Sequence, residues 1–160
     1  MTVRHADPPA SATTMRHSNE KLPPTVLVVD DTTEVRAFVS FLLRASGYRV
    51  IEAENGLAAQ ALIAHEHPAL VITDLEMPVC DGWSVLTYCR AQQPNTPVLI
   101  MSGVALGRRL DIECLAAGFL AKPLDLARFR AEVHRLVGRT AQPQPVRHVP
   151  PAPLLTRRSA

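Results

Sequence analysis

Four short apolar runs punctuate this chain, and each stops at a polar or turn-forming pair. Val26-Leu27-Val28-Val29 stops at Asp30-Asp31, and Ala69 to Thr73 stops at Asp74. Val98-Leu99-Ile100-Met101 stops at Ser102-Gly103, and Phe119-Leu120-Ala121 stops at Lys122-Pro123. Short, unbroken, β-branched runs of this kind predict strands buried on both faces. Tyr48 to Ala53 is a weaker strand, because Arg49 and Glu52 interrupt its apolar positions, which suits a sheet edge.

Between the runs the hydrophobic period becomes helical. Val35, Phe38, Val39, Leu42 and Leu43 fall at i, i+3, i+4, i+7 and i+8, and Gly47 stops that helix. Asn55-Gly56 turns into an Ala/Leu helix through about Ala64. Asp81 is placed to cap a helix from Gly82 to Gln92, with Trp83, Leu86 and Cys89 at core spacing. Pro94 and Pro97 bracket the next turn, and Leu106 to Ala117 is a weaker helix. The last helix carries Leu126, Phe129, Val133, Leu136 and Val137 on one face. Five β-α units in strict alternation predict an α/β fold, a doubly wound parallel sheet with right-handed crossovers and helices on both faces. With the second strand at the edge, the order 2-1-3-4-5 fits; five units are too few for a closed barrel.

Composition sets the boundaries. Nine of the fourteen prolines fall before residue 25 or after residue 140. Residues 1–24 and 139–160 are therefore expected to be disordered tails around one folded domain at 25–138. The net charge of +2 is unevenly spread: residues 25–138 hold ten Lys/Arg against thirteen Asp/Glu, while 139–160 hold four Arg and no acid. A mildly acidic core argues against nucleic-acid binding, and the basic tail lacks interleaved aromatics. No apolar run is long enough for a membrane span and no secretion signal is visible, so a cytoplasmic protein without membrane contact is expected. Cys80, Cys89 and Cys114 lack metal or redox spacing and read as reduced, small hydrophobes.

The chemistry lies in what the strand ends carry. In a parallel sheet the C-terminal ends open on one edge, where ligands bind. That edge collects Asp30, Asp31, Asp74, Ser102 and Lys122. Three carboxylates within about 5 Å repel by about 3 kcal/mol per pair at an effective dielectric near 20, so the cluster calls for a cation. An all-oxygen site without His or Cys suits Mg²⁺ (or Mn²⁺) better than Zn²⁺. Asp74, where a strand breaks at Met77-Pro78, is the expected phosphoryl acceptor, forming an acyl phosphate. Asp31, Asp74 and the backbone oxygen of Glu76 would hold the metal, with Asp30 binding mainly through water. Lys122 would pair with a second phosphoryl oxygen and Ser102 would donate to a third.

The set VLVVDD, VITDLEMPVCDGW, VLIMSG and FLAKP, in that order, resembles the receiver domain of two-component response regulators, of the CheY-like, flavodoxin-like kind. The match runs from about Thr25 to Gly138. The resemblance implies a sensor histidine kinase or a histidine phosphotransfer protein as donor, with self-catalysed transfer and slow loss of the phosphoryl group. It also implies that Ser102 moves toward the phosphoryl group and that Phe119 rotates inward after it. Gly103 would leave room for transfer, while Glu76 and Val104 occupy positions that tune dephosphorylation. The output surface would lie around residues 106–137, reading the switch by protein contact in a stand-alone receiver.

The same residues admit two other readings. A haloacid-dehalogenase-type phosphohydrolase also uses an Asp nucleophile, and Glu76 sits at the offset of its second acid. In that superfamily, however, the nucleophile comes on the first strand, and here a pair of acids precedes it. A phosphate-independent adaptor is the remaining alternative. His65 and His67 are expected to be solvated, and Arg108-Arg109 reads better as a solvated face than as a contact.

Overall fold

The computed structural model describes residues 22–103 and 115–140. The helix expected over Leu106 to Ala117 lies almost wholly outside the described residues. So do Val104, Cys114, Arg108-Arg109 and most of the two terminal segments.

Strands β1 (Thr25–Val29), β2 (Arg49–Ala53), β3 (Leu70–Asp74), β4 (Val98–Ser102) and β5 (Gly118–Ala121) form one parallel sheet in the order β2-β1-β3-β4-β5. This is the doubly wound, flavodoxin-like arrangement that the alternation predicts. Strands β1 and β5 end with their apolar runs, and β3 and β4 continue one residue further, onto Asp74 and Ser102. The helices among the described residues are α1 (Thr33–Ala45), α2 (Gly56–Glu66), α3 (Gly82–Gln92) and α4 (Leu126–Thr140).

Strand side chains alternate, so each central strand feeds two cores. On one face Val26, Val28, Leu70, Ile72, Leu99 and Met101 meet α1 and α4 through Val39, Leu43, Phe129 and Leu136. On the other, Leu27, Val29, Val71, Val98 and Ile100 meet α2 and α3 through Ala59, Ile63, Leu86 and Cys89. Each large apolar side chain fully removed from water contributes about 1.5–3 kcal/mol. The central strands β1, β3 and β4 supply most of that contribution. β2 has one buried residue, Ala53, as befits an edge.

The punctuation works as the sequence predicts. Gly47 takes φ 87°, and its amide bonds to Arg44, closing α1. The Asn55 side chain accepts from the Ala58 amide at 2.9 Å to start α2, and Asp81 accepts from the Ser84 amide at 2.9 Å to start α3. Three details differ. Phe38 is 49% exposed, because at 100° per residue it lies roughly 85° from the centre of the stripe set by Val35, Val39, Leu42 and Leu43. Val85, which the spacing does not single out, joins Leu86 and Cys89 on the fully buried face of α3, while Trp83 packs against the same core but is only partly buried. Leu126 sits in the first turn of α4 and stays largely exposed.

Candidate functional site

Asp30 follows the last residue of β1, so it continues the face of Val26 and Val28 just beyond the apolar run. It is fully buried. Every polar group on it has a partner: its amide donates to Ala53 O, its Oδ1 accepts from the Thr32 amide at 2.9 Å, and its carbonyl accepts from Arg36 Nη1 at 2.7 Å. Its Oδ2 accepts from Lys122 Nζ at 2.8 Å. Asp31 is exposed.

Asp74 ends β3 on the same face and is 9% exposed. Its Oδ1 accepts from the Leu75 amide at 2.6 Å, and its Oδ2 accepts from Lys122 Nζ at 2.8 Å. The loop behind it folds back tightly. The Gly82 amide donates to Leu75 O at 3.0 Å, and a Cβ on Gly82 would clash with the Asp74 carbonyl oxygen. Only glycine lets the start of α3 come so near. Between them, Cys80 N donates to Pro78 O at 2.8 Å around Val79 at φ 71°, a γ-turn of the rare, strained hand. The Gly56 amide ties this loop to α2 by donating to Cys80 O at 3.1 Å.

Lys122 follows β5, and its amide donates to Ser102 O at 2.8 Å, so the ends of β4 and β5 are stitched together beside Asp74. Burial works to lower the Lys122 pKa. The hydrogen bonds and charges of Asp30 and Asp74 outweigh it, so the ammonium titrates above the ordinary lysine value. Lys122 is firmly cationic, yet it does not balance the site. Asp30, Asp31 and Asp74 each bring a carboxylate oxygen to within 4.8 Å of the others. Three carboxylates against one ammonium leave two negative charges, the complement of a divalent cation. The donors are all hard oxygens, with neither His nor Cys among them, so the set fits Mg²⁺ or Mn²⁺.

The remaining predicted residues take distinct places. Ser102 ends β4, one residue beyond Met101, which pairs with Asp74, and it is buried. Gly103 is exposed, with open space where a side chain would stand. Glu76 is exposed on the loop after Asp74. Phe119 is half-buried on β5 and packs on the α2 and α3 side of the sheet. His65 and His67 are exposed, though His65 belongs to the last turn of α2 and the His67 ring nitrogen lies 2.7 Å from Gln93 Nε2. Sequence reasoning missed two contributors. Gly82 reads as an ordinary helix start, and Arg36 looks like one more charge on an amphipathic helix. The visible signal for Arg36 is its place beside Val35 on the inward half of α1.

Comparison with known proteins agrees with this geometry. The signature of the response regulator receiver domain matches residues 26–134. The transcriptional regulatory protein PrrA of Mycobacterium tuberculosis is 37% identical over 118 residues, 72% of this chain and 51% of that protein. The autoinducer 1 sensor kinase/phosphatase LuxN of Vibrio harveyi is 36% identical over 108 residues, 67% of this chain and 13% of that protein. The chain spans about half the length or less of such relatives. Among solved structures, the signal receiver domain of a LuxO repressor protein from Vibrio parahaemolyticus superposes with a TM-score of 0.70 at 26% identity, covering 75% of this chain and 94% of that one. The receiver domain of the sensor histidine kinase PA1611 from Pseudomonas aeruginosa, with a magnesium ion in its active-site cleft, gives 0.67 at 25% identity, covering 72% and 98%. A burial pattern, a strand order, an acidic cluster and a family signature thus converge, and the chain belongs to the response regulator receiver domain family.

Proposed function

We propose that the folded unit at 25–138 is a phosphorylation switch, in which Asp74 accepts a phosphoryl group from the phosphohistidine of a sensor histidine kinase or a histidine phosphotransfer protein. The observation that carries this reading is Lys122 Nζ, 2.8 Å from both Asp30 Oδ2 and Asp74 Oδ2, inside a cluster that still keeps two negative charges. A structural ion pair would have no use for the third carboxylate.

In the transfer, an Asp74 carboxylate oxygen attacks phosphorus, the P–N bond to the donor imidazole breaks, and the imidazole leaves with a proton. Asp30, Asp31, Asp74 and the Glu76 backbone oxygen would hold Mg²⁺ (or Mn²⁺), which neutralises charge on the phosphoryl oxygens when bound. Lys122 leaves Asp74 Oδ2 for a phosphoryl oxygen, keeping its cation in the site. Ser102 donates to another oxygen, and Gly103 leaves the approach open. Phe119 turns inward as Ser102 moves, which transmits the event to β5 and α4. Glu76 and Val104 set how readily water removes the group. Phosphorylation replaces the single charge of the Asp74 carboxylate by about two on the acyl phosphate, a net gain of about one negative charge, and acts by biasing two pre-existing arrangements. The protein catalyses only its own modification, so it is a signalling device. Its target, a protein, reads the surface around residues 106–137. The free thiols of Cys80 and Cys89 suit a cytoplasmic setting.

Acetyl phosphate with Mg²⁺, followed by intact mass, tests the reading. Wild type gains about 80 Da, one phosphoryl group, and Asp74→Ala does not. Rapid turnover of varied phosphate esters would point to a hydrolase, and an unmodified wild type to a phosphate-independent adaptor.

A further inference from the structure

We infer that Arg36 is a positioning residue for the acidic site: it holds the Asp30–Asp31 peptide so that the Asp31 carboxylate faces a bound divalent cation. The inference rests on the proposed switch for its purpose, but its test reads metal binding alone.

The three carboxylates are anchored very unequally. Asp30 has the Thr32 amide and Lys122, and Asp74 has the Leu75 amide and Lys122. The Asp31 side chain has no hydrogen-bond partner among the described residues, and the residue is exposed. Its direction therefore depends on its backbone. The Asp30 carbonyl and the Asp31 amide belong to one planar peptide, so fixing the carbonyl oxygen fixes the plane from which Asp31 departs. That oxygen lies past the end of β1 and is taken instead by Arg36 Nη1 at 2.7 Å. The guanidinium is itself held: Nε lies 3.5 Å from Glu52 Oε2 on β2, and the other Glu52 oxygen accepts from Arg44 at 2.8 Å. Arg36 is mostly buried, unlike Arg44. The chain of contacts runs from the edge strand through Arg36 to the loop that presents Asp31.

Charge alone predicts the opposite effect. A cation beside an acidic cluster weakens its hold on Mg²⁺, so removing Arg36 should tighten binding if charge were its whole influence. Positioning predicts weaker binding.

Mg²⁺ titration by calorimetry of the unphosphorylated full chain, with no phosphodonor present, separates the two. Arg36→Met keeps length and apolar bulk but removes charge and donors, and its Mg²⁺ affinity falls by about tenfold, the lower end of what groups orienting a metal ligand are worth. Arg36→Lys keeps the charge without the planar fork and binds more weakly than wild type but better than Arg36→Met. Unchanged or tighter Mg²⁺ binding in folded Arg36→Met overturns the inference. Should that variant not fold, unchanged binding by Arg36→Lys overturns it equally. Failure of Asp74 to take a phosphoryl group would leave these affinities untouched.

Discussion

The two edges of the sheet carry the same kind of interaction with opposite consequences. At the edge where strands begin, Arg49 on β2 donates to Glu66 at the end of α2 at 2.9 Å and to Thr25 at 3.1 Å. Both charges are largely solvated, and they balance one for one. At the edge where strands end, Lys122 makes contacts just as short, but to two carboxylates of which one is fully buried, with a third beside them. Distance does not distinguish the pairs. Burial and imbalance do: the first edge is a closed surface, and the second is a site with charge left over for a ligand.

Breaking the pairs should show the difference most strongly. Lys122→Ala leaves Asp30 and Asp74 without their cation and costs about 3 kcal/mol in metal-free urea unfolding, whereas Arg49→Ala costs about 0.5 kcal/mol or less. Mg²⁺ should raise the melting temperature of Lys122→Ala more than that of wild type, since one more negative charge is unmatched. The pH dependence has a definite sign. The Lys122 pKa is raised on folding, so its contribution is complete below the unfolded lysine value of about 10.4 and fades as pH rises through the folded one. The alkaline loss of stability is therefore shallower in Lys122→Ala. Equal losses in the two Ala variants would erase the contrast.

Backbone crowding gives a smaller effect at the same edge. Gly82→Ala forces the start of α3 away from Asp74 and costs about 2 kcal/mol, as overpacking usually does. Gly103→Ala, with open space around it, stays within about 0.5 kcal/mol in the same unfolding assay. Thiols provide the gentlest probe. Burial pushes Cys89 up to about 11, at the end of α3 near Thr96, while Cys80 is half-buried in the loop after Asp74. At pH 8 Cys80 should alkylate about tenfold faster or more by peptide mapping, and comparable rates would mean the α3 core is looser than described.

Much of this was legible in sequence, for identifiable reasons. Strands buried on both faces read as unbroken apolar runs, so their ends, and with them Asp30, Asp74, Ser102 and Lys122, could be placed. Turn residues did the same for Gly47, Asn55 and Asp81, whose roles depend on local backbone. What stayed hidden depends on contacts between distant segments. The closeness of Gly82 to the Asp74 carbonyl comes from how the loop folds back, and Arg36 matters only because β1, α1 and β2 meet at Asp30. The exposure of Phe38 is a subtler miss: it obeys the helical spacing but lies at the margin of the stripe. Ser102 and Lys122 are joined by a backbone bond that no motif could reveal.

The proposed switch requires Asp74 to be the residue that carries the phosphoryl group. Borohydride reduces an acyl phosphate to an alcohol, so treatment after incubation with acetyl phosphate and Mg²⁺ should turn one aspartate into homoserine. Peptide sequencing by mass spectrometry is expected to find homoserine at position 74, with Asp30 and Asp31 unchanged. Homoserine at another aspartate, or none in protein that has gained phosphate, would contradict the account.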